Sequence, residues 1–439
     1  MSTIFAPATA PGPAGVAVVR ISGTEAGTAL ASLAGTLPEP RKAVLRTFRG
    51  PAGEVLDEGL ALWFPRPNSF TGEDVVELHV HGGRATMRAV LDALRPMPGL
   101  RPAEPGEFTR RAFENGKLEL TQVEALADLV QAETEGQRRQ AARQLEGGLG
   151  TRLEAWRSEV LKALAHVEAA IDFAEDEVPD AAAGAVARVQ RLVPQLDAAL
   201  GASPRAERLR AGVHVAIVGP PNAGKSSLLN AIAGREAAIV SATAGTTRDV
   251  VEVHLDLDGM PVVLADTAGL RESLDEIEGE GIRRALVRAE AADLRIAVLD
   301  AADWPNLDTR TLAAAGPDAL IVFNKADIRY VPEPALCGRD TFQLSAQTGA
   351  GMDRFMGALT ARVRDQAGLT EEPGLTRARH REAVAESAAH LGRFLEGQGD
   401  VALRAEDLRL AVRALGRVTG RVDVEELLDV IFRDFCIGK

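Results

Sequence analysis

The chain has 439 residues, of which 46% are hydrophobic and 26% charged, and its formal net charge is −13. This length predicts about three domains, and the composition is ordinary for a soluble globular protein. The acidic balance excludes a surface broadly coated with lysine and arginine for nucleic acid. An RNA partner would therefore need a local basic patch or a second protein to help hold it.

The sequence shows no targeting or membrane signal. It has no run of about 18 apolar residues, and Met1–Phe5 lacks the basic and apolar regions of a signal peptide. Cys337 and Cys436 are the only cysteines and offer no disulfide framework or zinc-site spacing. We therefore expect a cytoplasmic protein that does not enter a membrane.

Residues 1–118 predict an α+β domain. Apolar residues form strand-like runs in Val16–Ile21, Gly59–Phe64 and Val75–His81. Helical stretches such as Arg84–Leu94 lie between such strands.

Helical spacing dominates the next part of the chain. Ala, Leu, Glu and Arg recur at this spacing from Thr121 to Leu200, and we expect Pro179 and Pro194 to interrupt the pattern. A short polar segment at 201–210 is expected to lead into the following strand.

Strands and helices then alternate to about residue 364, which is typical of a parallel sheet, and a helical pattern returns from Arg377. Two helical blocks around an α/β unit predict an all-α domain with a nucleotide-binding domain inserted in it. The predicted segments are the α+β domain at 1–118, the first helical part at 119–210, the α/β domain at 211–364 and the second helical part at 365–439.

A phosphate-binding loop is the most specific feature of the α/β part. Gly219–Ser226 matches the pattern G-x-x-x-x-G-K-[ST], and it follows the apolar run Val213–Val218 and precedes a helix start at Ser227. Backbone N–H groups of such a loop face phosphates. Lys225 would neutralise the β- and γ-phosphates, and the Ser226 hydroxyl would bind Mg²⁺.

Two further segments are expected to serve magnesium and the γ-phosphate. In Gly245–Asp249, Thr247 is the better candidate for the threonine that closes on Mg²⁺. Asp266–Gly269 ends an apolar run, so Asp266 would hold Mg²⁺ through water and the Gly269 N–H would meet the γ-phosphate.

Two more segments are expected to read the base. Asp327, the last residue of Asn324–Asp327, can accept two hydrogen bonds from guanine that adenine cannot offer. Ser345–Ala346 would supply a backbone N–H to guanine O6. In this order the segments predict a domain that binds GTP and GDP. The expected contacts are Asn222, Ala223, Gly224, Lys225, Ser226, Ser227, Ser241, Ala242, Thr243, Ala244, Gly245, Thr246, Thr247, Asp266, Thr267, Ala268, Gly269, Asn324, Lys325, Ala326, Asp327, Ser345 and Ala346.

The residues that would promote hydrolysis are less directly identified by the sequence than those that would bind the nucleotide. Leu270 stands where Ras-like enzymes keep a glutamine that orients water, and leucine cannot do so. Asn222 either binds a monovalent cation that neutralises developing charge or only hydrogen-bonds within the loop. A substitute base would come from the acidic residues that follow Gly269. These candidates are Glu272, Asp275, Glu276, Glu278 and Glu280.

The combination of motifs resembles the MnmE (TrmE) family of tRNA modification GTPases over the whole chain. Besides the nucleotide segments, the resemblance rests on the C-terminal Phe435–Lys439. N-terminal stretches that look like the family are Phe70–Asp74, Glu77, His81–Gly83, Glu104–Thr109 and Asn115–Leu118.

The resemblance implies an N-terminal folate-binding-like domain that dimerises and takes a 5-formyltetrahydrofolate-type donor. It also implies a helical domain that carries an inserted Ras-like P-loop GTPase domain. Its members work on tRNA with an FAD-dependent partner of the MnmG (GidA) type, in a heterotetramer. Together they modify C5 of wobble uridine 34. Carried onto this chain, the folate contacts are Arg20, Glu77, Lys117 and Lys439.

The resemblance further implies G domains that dimerise around K⁺ in the GTP state. The K⁺ ligands on this chain would be Asn222, Ser241, Thr243 and Thr246. Glu278 aligns with the water-activating glutamate of the family. Cys436 is either a catalytic thiol near the modified uridine or a tail residue that merely packs.

Two alternatives share the nucleotide motifs. A ribosome-assembly GTPase of the Era or Der type would lack the folate-like domain and the C-terminal Cys-Ile-Gly-Lys sequence. A GTP-switched scaffold would time assembly without one-carbon chemistry. Uptake of 5-formyltetrahydrofolate separates both from the family expectation.

Overall fold

The structure is a computed structural model that describes most of the chain. Among the described residues, no helix is long and apolar enough to cross a membrane. The described residues are 2–172, 180–235, 238–239, 252–266, 290–332, 338–368, 373–397, 401–422, Leu428, Ile431, Phe432, Phe435 and Gly438.

The first compact unit contains Met1–Ala127, Gly150–Arg157 and Leu415–Lys439. Its strands are β1 (Thr3–Pro7), β2 (Ala17–Ser22), β3 (Val44–Arg49), β4 (Val55–Phe64), β5 (Val75–Val80) and β6 (Leu100–Pro102). Within the described residues they form one six-stranded sheet in the order β3-β4-β5-β2-β1-β6. Only β1 and β6 among these paired strands run parallel.

Alternating burial along β2 determines which side chains face the core of this unit. Val19 and Ile21 are buried, whereas Arg20 points to the opposite face because successive strand residues alternate. The register pairs Arg20 with Glu77 of β5. The neighbouring helices are α1 (Ala26–Ala34), α2 (Arg84–Leu94), α3 (Glu107–Glu114) and α4 (Leu120–Gln131).

A buried ionic network fixes α3 to the start of the chain. Arg111, 4% exposed, donates to Glu73 and to Glu107, each at 2.9 Å, and to the Ser2 carbonyl at 2.8 Å. Arg101 also donates to Glu107 at 2.8 Å. Burial raises the pKa of Glu107, but hydrogen bonds from Arg101, the Glu104 N–H and Arg111 outweigh it, so this pKa lies below its usual value.

The second compact unit, Asp128–Leu149 with Ser158–Ala414, contains the other sheet. Its strands are β7 (Val213–Val218), β8 (Ala238–Ile239), β9 (Glu252–Leu257), β10 (Met260–Asp266), β11 (Leu294–Asp300), β12 (Leu320–Asn324) and β13 (Thr341–Gln343). In the described part of the chain the order is β13-β12-β11-β7-β10-β9-β8. The strands from β13 to β10 are parallel, and β9 is antiparallel to β10 and β8.

The parallel strands read as continuous apolar runs because helices cover both faces of the sheet. Val215 and Ile217 belong to one core cluster with Phe355, and Ala216 and Val218 belong to a second cluster. The predicted multidomain α/β fold class is confirmed. The remaining helices are α5 (Glu135–Leu145), α6 (Gly148–Asp172), α7 (Asp180–Ala211), α8 (Lys225–Arg235), α9 (Thr309–Ala315), α10 (Met352–Gln366), α11 (Ala378–Glu396) and α12 (Val401–Thr419).

Helix α7 differs from the sequence-based expectation. The polar segment expected at 201–210 is helical, and α7 continues through both Pro194 and Pro204. Pro204 cannot donate to the Leu200 carbonyl, but the Ser203 hydroxyl does so at 2.9 Å. This replacement bond, together with buried residues such as Leu196, explains why the proline does not end the helix.

The β9–β10 hairpin packs against the start of α5. The Gly136 N–H donates to the Gly259 carbonyl at 2.9 Å, and a Cβ on Gly136 would lie 2.5 Å from that oxygen. The Thr134–Gln137 capping box forms the helix start. Beside it, His254 Nδ1 lies 2.8 Å from the Glu133 carboxylate.

We expect Glu107→Gln to change the acid stability of the first unit. The lowered pKa of Glu107 means that its ionised form stabilises the fold above about pH 4.5, and this contribution is lost as the pH falls through the folded pKa. The variant should lose about 1–3 kcal/mol at neutral pH, and the difference should shrink in acid.

Urea unfolding between about pH 7 and pH 3 measures this difference. Glu39→Gln is the matched control, since that exposed carboxylate forms an ion pair with the exposed Lys42 at the surface. A deficit in Glu107→Gln that stays constant over this pH range would refute the ionic contribution.

Candidate guanine-nucleotide site

The phosphate-binding loop joins the end of β7 to the start of α8 in a conformation that requires glycine twice. A Cβ on Gly219 would lie 2.3 Å from the Val298 carbonyl oxygen. Gly224 has φ +91°, and a Cβ there would lie 2.2 Å from Asn324 Nδ2. Asn222 also has a positive φ of 62°, which asparagine tolerates better than most residues. The Val298 carbonyl therefore leaves no room for a side chain at Gly219, and the Asn324 amide leaves none at Gly224.

Lys225 places its ammonium group over this loop. The residue is 9% exposed, and Nζ donates to the carbonyls of Gly219 and Pro220, each at 2.9 Å. Ser226 is exposed in the first turn of α8, where helix N–H groups and the helix dipole favour an anion. A cation, a hydroxyl and a helix N-terminus thus meet where a polyphosphate can bind.

Asn324 ties three loops together. The residue is 2% exposed; Nδ2 donates to the Ala223 carbonyl at 2.9 Å, and Oδ1 accepts from the Ala346 N–H at 3.0 Å. The Ser345 N–H donates to the Ala350 carbonyl at 2.9 Å. The structure therefore brings the predicted guanine segments to the phosphate loop, and the contact of Ser345–Ala346 with guanine O6 stays a prediction.

Lys325 lies beside Asn324 and forms an ion pair with Asp300, the last residue of β11. Nζ lies 2.6 Å from Asp300 Oδ2. Burial raises the pKa of Asp300, but hydrogen bonds from Lys325 and from the Ala302 N–H lower it by a larger amount. The pKa of Asp300 therefore lies below its usual value. Asp327 is exposed at the same edge of the sheet, where it can meet a base from solvent.

Several predicted residues lie outside the described part of the structure. Asp266 ends β10, as the sequence predicts, but its side chain is not described. The remaining nucleotide, cation, catalytic and folate predictions outside the described residues are Ser241, Ala242, Thr243, Ala244, Gly245, Thr246, Thr247, Thr267, Ala268, Gly269, Glu272, Asp275, Glu276, Glu278, Glu280, Cys436 and Lys439.

Two predicted folate residues of the first unit, Glu77 and Lys117, line a cavity of about 320 Å³. The third, Arg20, does not line it but contacts two of its lining residues. Arg20 donates to Glu77 Oε1 at 3.1 Å, and its guanidinium lies 5.2 Å from the centre of the Phe70 ring. Lys117 Nζ donates to the Pro67 carbonyl at 3.2 Å. The structure therefore gathers acceptor, cation and aromatic groups at this pocket.

Sequence reasoning missed several residues of these two sites. Asp300 follows the apolar run of β11, and a polar residue at the carboxyl end of a parallel strand is a signal that could have identified it. Arg41, Phe64 and Asn68 also line the N-terminal cavity. They are scattered in sequence, and no local pattern connects them with Glu77.

The parallel sheet, the glycine-dependent phosphate loop and the buried Asn324 bridge define a P-loop GTPase. Two family descriptions match the chain: the MnmE helical domain at residues 120–436 and the GTP-binding protein TrmE N-terminus at residues 3–117. The chain belongs to the MnmE (TrmE) family.

Curated relatives support this membership over the full length. The tRNA modification GTPase MnmE of Paramagnetospirillum magneticum is 57% identical, covering 100% of this chain and 99% of that protein. The protein of the same name from Parvibaculum lavamentivorans is 58% identical and fully covered. Among solved structures, the G domain of the T. maritima FeoB iron transporter covers 35% of this chain and 98% of its own, with 24% identity and a TM-score of 0.25.

We expect Gly224→Ala to abolish tight nucleotide binding. The added Cβ would push Asn324 away from the phosphate loop, and alanine at φ +91° is strained. GDP affinity should fall by about 100-fold or more, since the loop and the Asn324 bridge are disturbed together.

Gly234→Ala is the matched control because a Cβ at this position in α8 meets no atom within 4 Å. Titration with a fluorescent GDP analogue measures both variants. Equal affinity of Gly224→Ala and Gly234→Ala would contradict the close approach seen at Asn324.

Proposed function

We propose that this protein hydrolyses GTP in the cytoplasm to drive the modification of tRNA. In the proposed reaction it acts with an FAD-dependent partner of the MnmG (GidA) type. The pair adds an aminomethyl or carboxymethylaminomethyl group at C5 of wobble uridine 34. The full-length similarity to proteins named tRNA modification GTPase carries this proposal.

The N-terminal cavity supports a role for a folate one-carbon donor. Glu77 offers carboxylate oxygens to the N–H donors of a pterin, and it keeps acceptor capacity beyond the Arg20 bond. Phe64 and Phe70 supply aromatic surface, while Lys117 is a cation suited to the carboxylates of a folate tail. The donor set therefore fits 5-formyltetrahydrofolate, which would supply the carbon.

The position of Gly438 supports the inclusion of Lys439 in this site. A Cβ on Gly438 would lie 1.8 Å from the Pro7 carbonyl oxygen, so Gly438 lies against the last residue of β1. Ala6 of β1 pairs with Arg20 of β2. We therefore include Lys439 among the proposed folate contacts and Cys436 as a candidate thiol near the modified uridine.

For hydrolysis we propose K⁺-dependent pairing of two G domains in a homodimer, with Mg²⁺ held by Ser226 and Thr247. Asn222 supports the K⁺ proposal because it is exposed on the phosphate loop, where its amide oxygen can bind a cation. K⁺ in such a place would offset charge that develops on the phosphates. Its other proposed ligands are Ser241, Thr243 and Thr246, and the proposed base is Glu278.

The tRNA nucleoside profile of cells lacking the gene tests the proposed function. Wild-type protein should restore the modified wobble uridine, whereas Lys117→Ala should not, because it loses a cationic folate contact. Lys117→Ala should keep its GTP turnover within about twofold but bind 5-formyltetrahydrofolate about tenfold more weakly.

Lys42→Ala is the matched control, since it removes an exposed lysine that pairs with Glu39. An unchanged nucleoside profile in the deletion strain would exclude tRNA modification. Loss of modification without any folate uptake by the wild-type protein would instead favour a GTP-switched scaffold.

We expect Glu278→Ala to slow GTP hydrolysis by about 100-fold in K⁺ while sparing GDP binding, since general bases contribute about that much. Glu272→Ala removes a carboxylate from the same segment and should leave the rate within about twofold. Phosphate release in K⁺ and in Na⁺ measures both effects. Equal wild-type rates in the two salts would refute the cation proposal.

A further inference from the structure

Asp300 is held by two hydrogen bonds at the end of β11. Its Oδ1 accepts from the Ala302 N–H at 2.9 Å, and its Oδ2 lies 2.6 Å from Lys325 Nζ. In the β11–β12 register Asp300 lies directly opposite Asn324. The carboxylate is therefore fixed by the backbone on one side and by the lysine of the guanine segment on the other.

Lys325 needs the support of this ion pair because its backbone conformation is unfavourable. Its φ is 63°, in the left-handed region that residues with a Cβ avoid. The turn is closed by the Ile328 N–H, which donates to the Lys325 carbonyl at 3.0 Å, and by the Ala326 N–H, which donates to Leu344 at 3.0 Å. Asp327 lies within this turn, so the conformation at Lys325 determines where the Asp327 carboxylate points.

We propose that Asp300 is a positioning residue of the guanine site, whose ion pair with Lys325 holds the turn that presents Asp327 to the base. The inference rests on the guanine-nucleotide binding described above and deepens it. Asp300 itself does not need to touch the nucleotide. Its effect is to slow the release of GDP and GTP, because the turn is already in its binding conformation.

The partial burial of this ion pair favours a measurable contribution to holding the turn. The Asp300 side chain is 16% exposed and that of Lys325 34%, so solvent screens the pair less than it screens a fully exposed one. Asparagine at position 300 could still accept the Ala302 hydrogen bond. Asp300→Asn therefore removes the charge while keeping the cap of the short helix Ala301–Asp303.

The test is the rate of GDP release from the full chain, measured with a fluorescent GDP analogue. Asp300→Asn should release GDP about tenfold faster than wild type, which corresponds to about 1.4 kcal/mol. Lys325→Met removes the same ion pair by replacing its other partner. In the double variant the two effects should be clearly less than multiplicative, because both substitutions break one interaction.

Asp308→Asn is the matched control. Asp308 also caps a helix, through the N–H groups of Arg310 and Thr311, and its pKa is likewise lowered, first by the Thr311 hydroxyl. This variant should leave GDP release within twofold of wild type, although it removes a similar carboxylate from the same unit. Thermal unfolding without nucleotide should shift no more for Asp300→Asn than for this control.

Unchanged GDP release in Asp300→Asn would overturn the inference. So would fully multiplicative effects with Lys325→Met, since they would show that the two residues act separately. A wild-type chain that bound no GDP would overturn the guanine site itself. Tight wild-type binding with unaltered release from the variant would overturn only the role of Asp300.

Discussion

The guanine-nucleotide site depends on the side-chain amide of Asn324. This buried amide donates to the Ala223 carbonyl and accepts from the Ala346 N–H, so one side chain joins the phosphate loop to both guanine segments. The geometry is possible only because Gly224 leaves room for the amide nitrogen. A buried amide without these partners would be costly, and the three loops are therefore held in register as one unit.

The nucleotide loops could be predicted from sequence because each occupies a few consecutive residues after an apolar strand. The fold class followed from the same alternation of strands and helices, and it is confirmed. The continuation of α7 through Pro204 could not be predicted, since it depends on the Ser203 hydroxyl bonding the carbonyl that proline leaves free. Likewise, Asp300 is 25 residues before Lys325, and only the β11–β12 pairing brings them together.

The N-terminal pocket shows how sheet register assembles a site from residues with no shared motif. Arg20 and Glu77 are 57 residues apart but face each other across β2 and β5. Their orientation follows from alternation, because the same strands bury Val19 and Leu78 on the other face. Arg41 and Phe64 complete the pocket from neighbouring segments. A shift of β2 by one residue would turn Arg20 into the core and separate it from Glu77.

The contact of Gly136 with Gly259 has a mechanical consequence. The turn at Gly259 is one end of the β9–β10 hairpin, and Asp266 lies at the other end of β10. The hydrogen bond from the Gly136 N–H therefore holds the hairpin turn against the start of α5. A side chain at position 136 would displace this turn, which lies at the opposite end of β10 from Asp266.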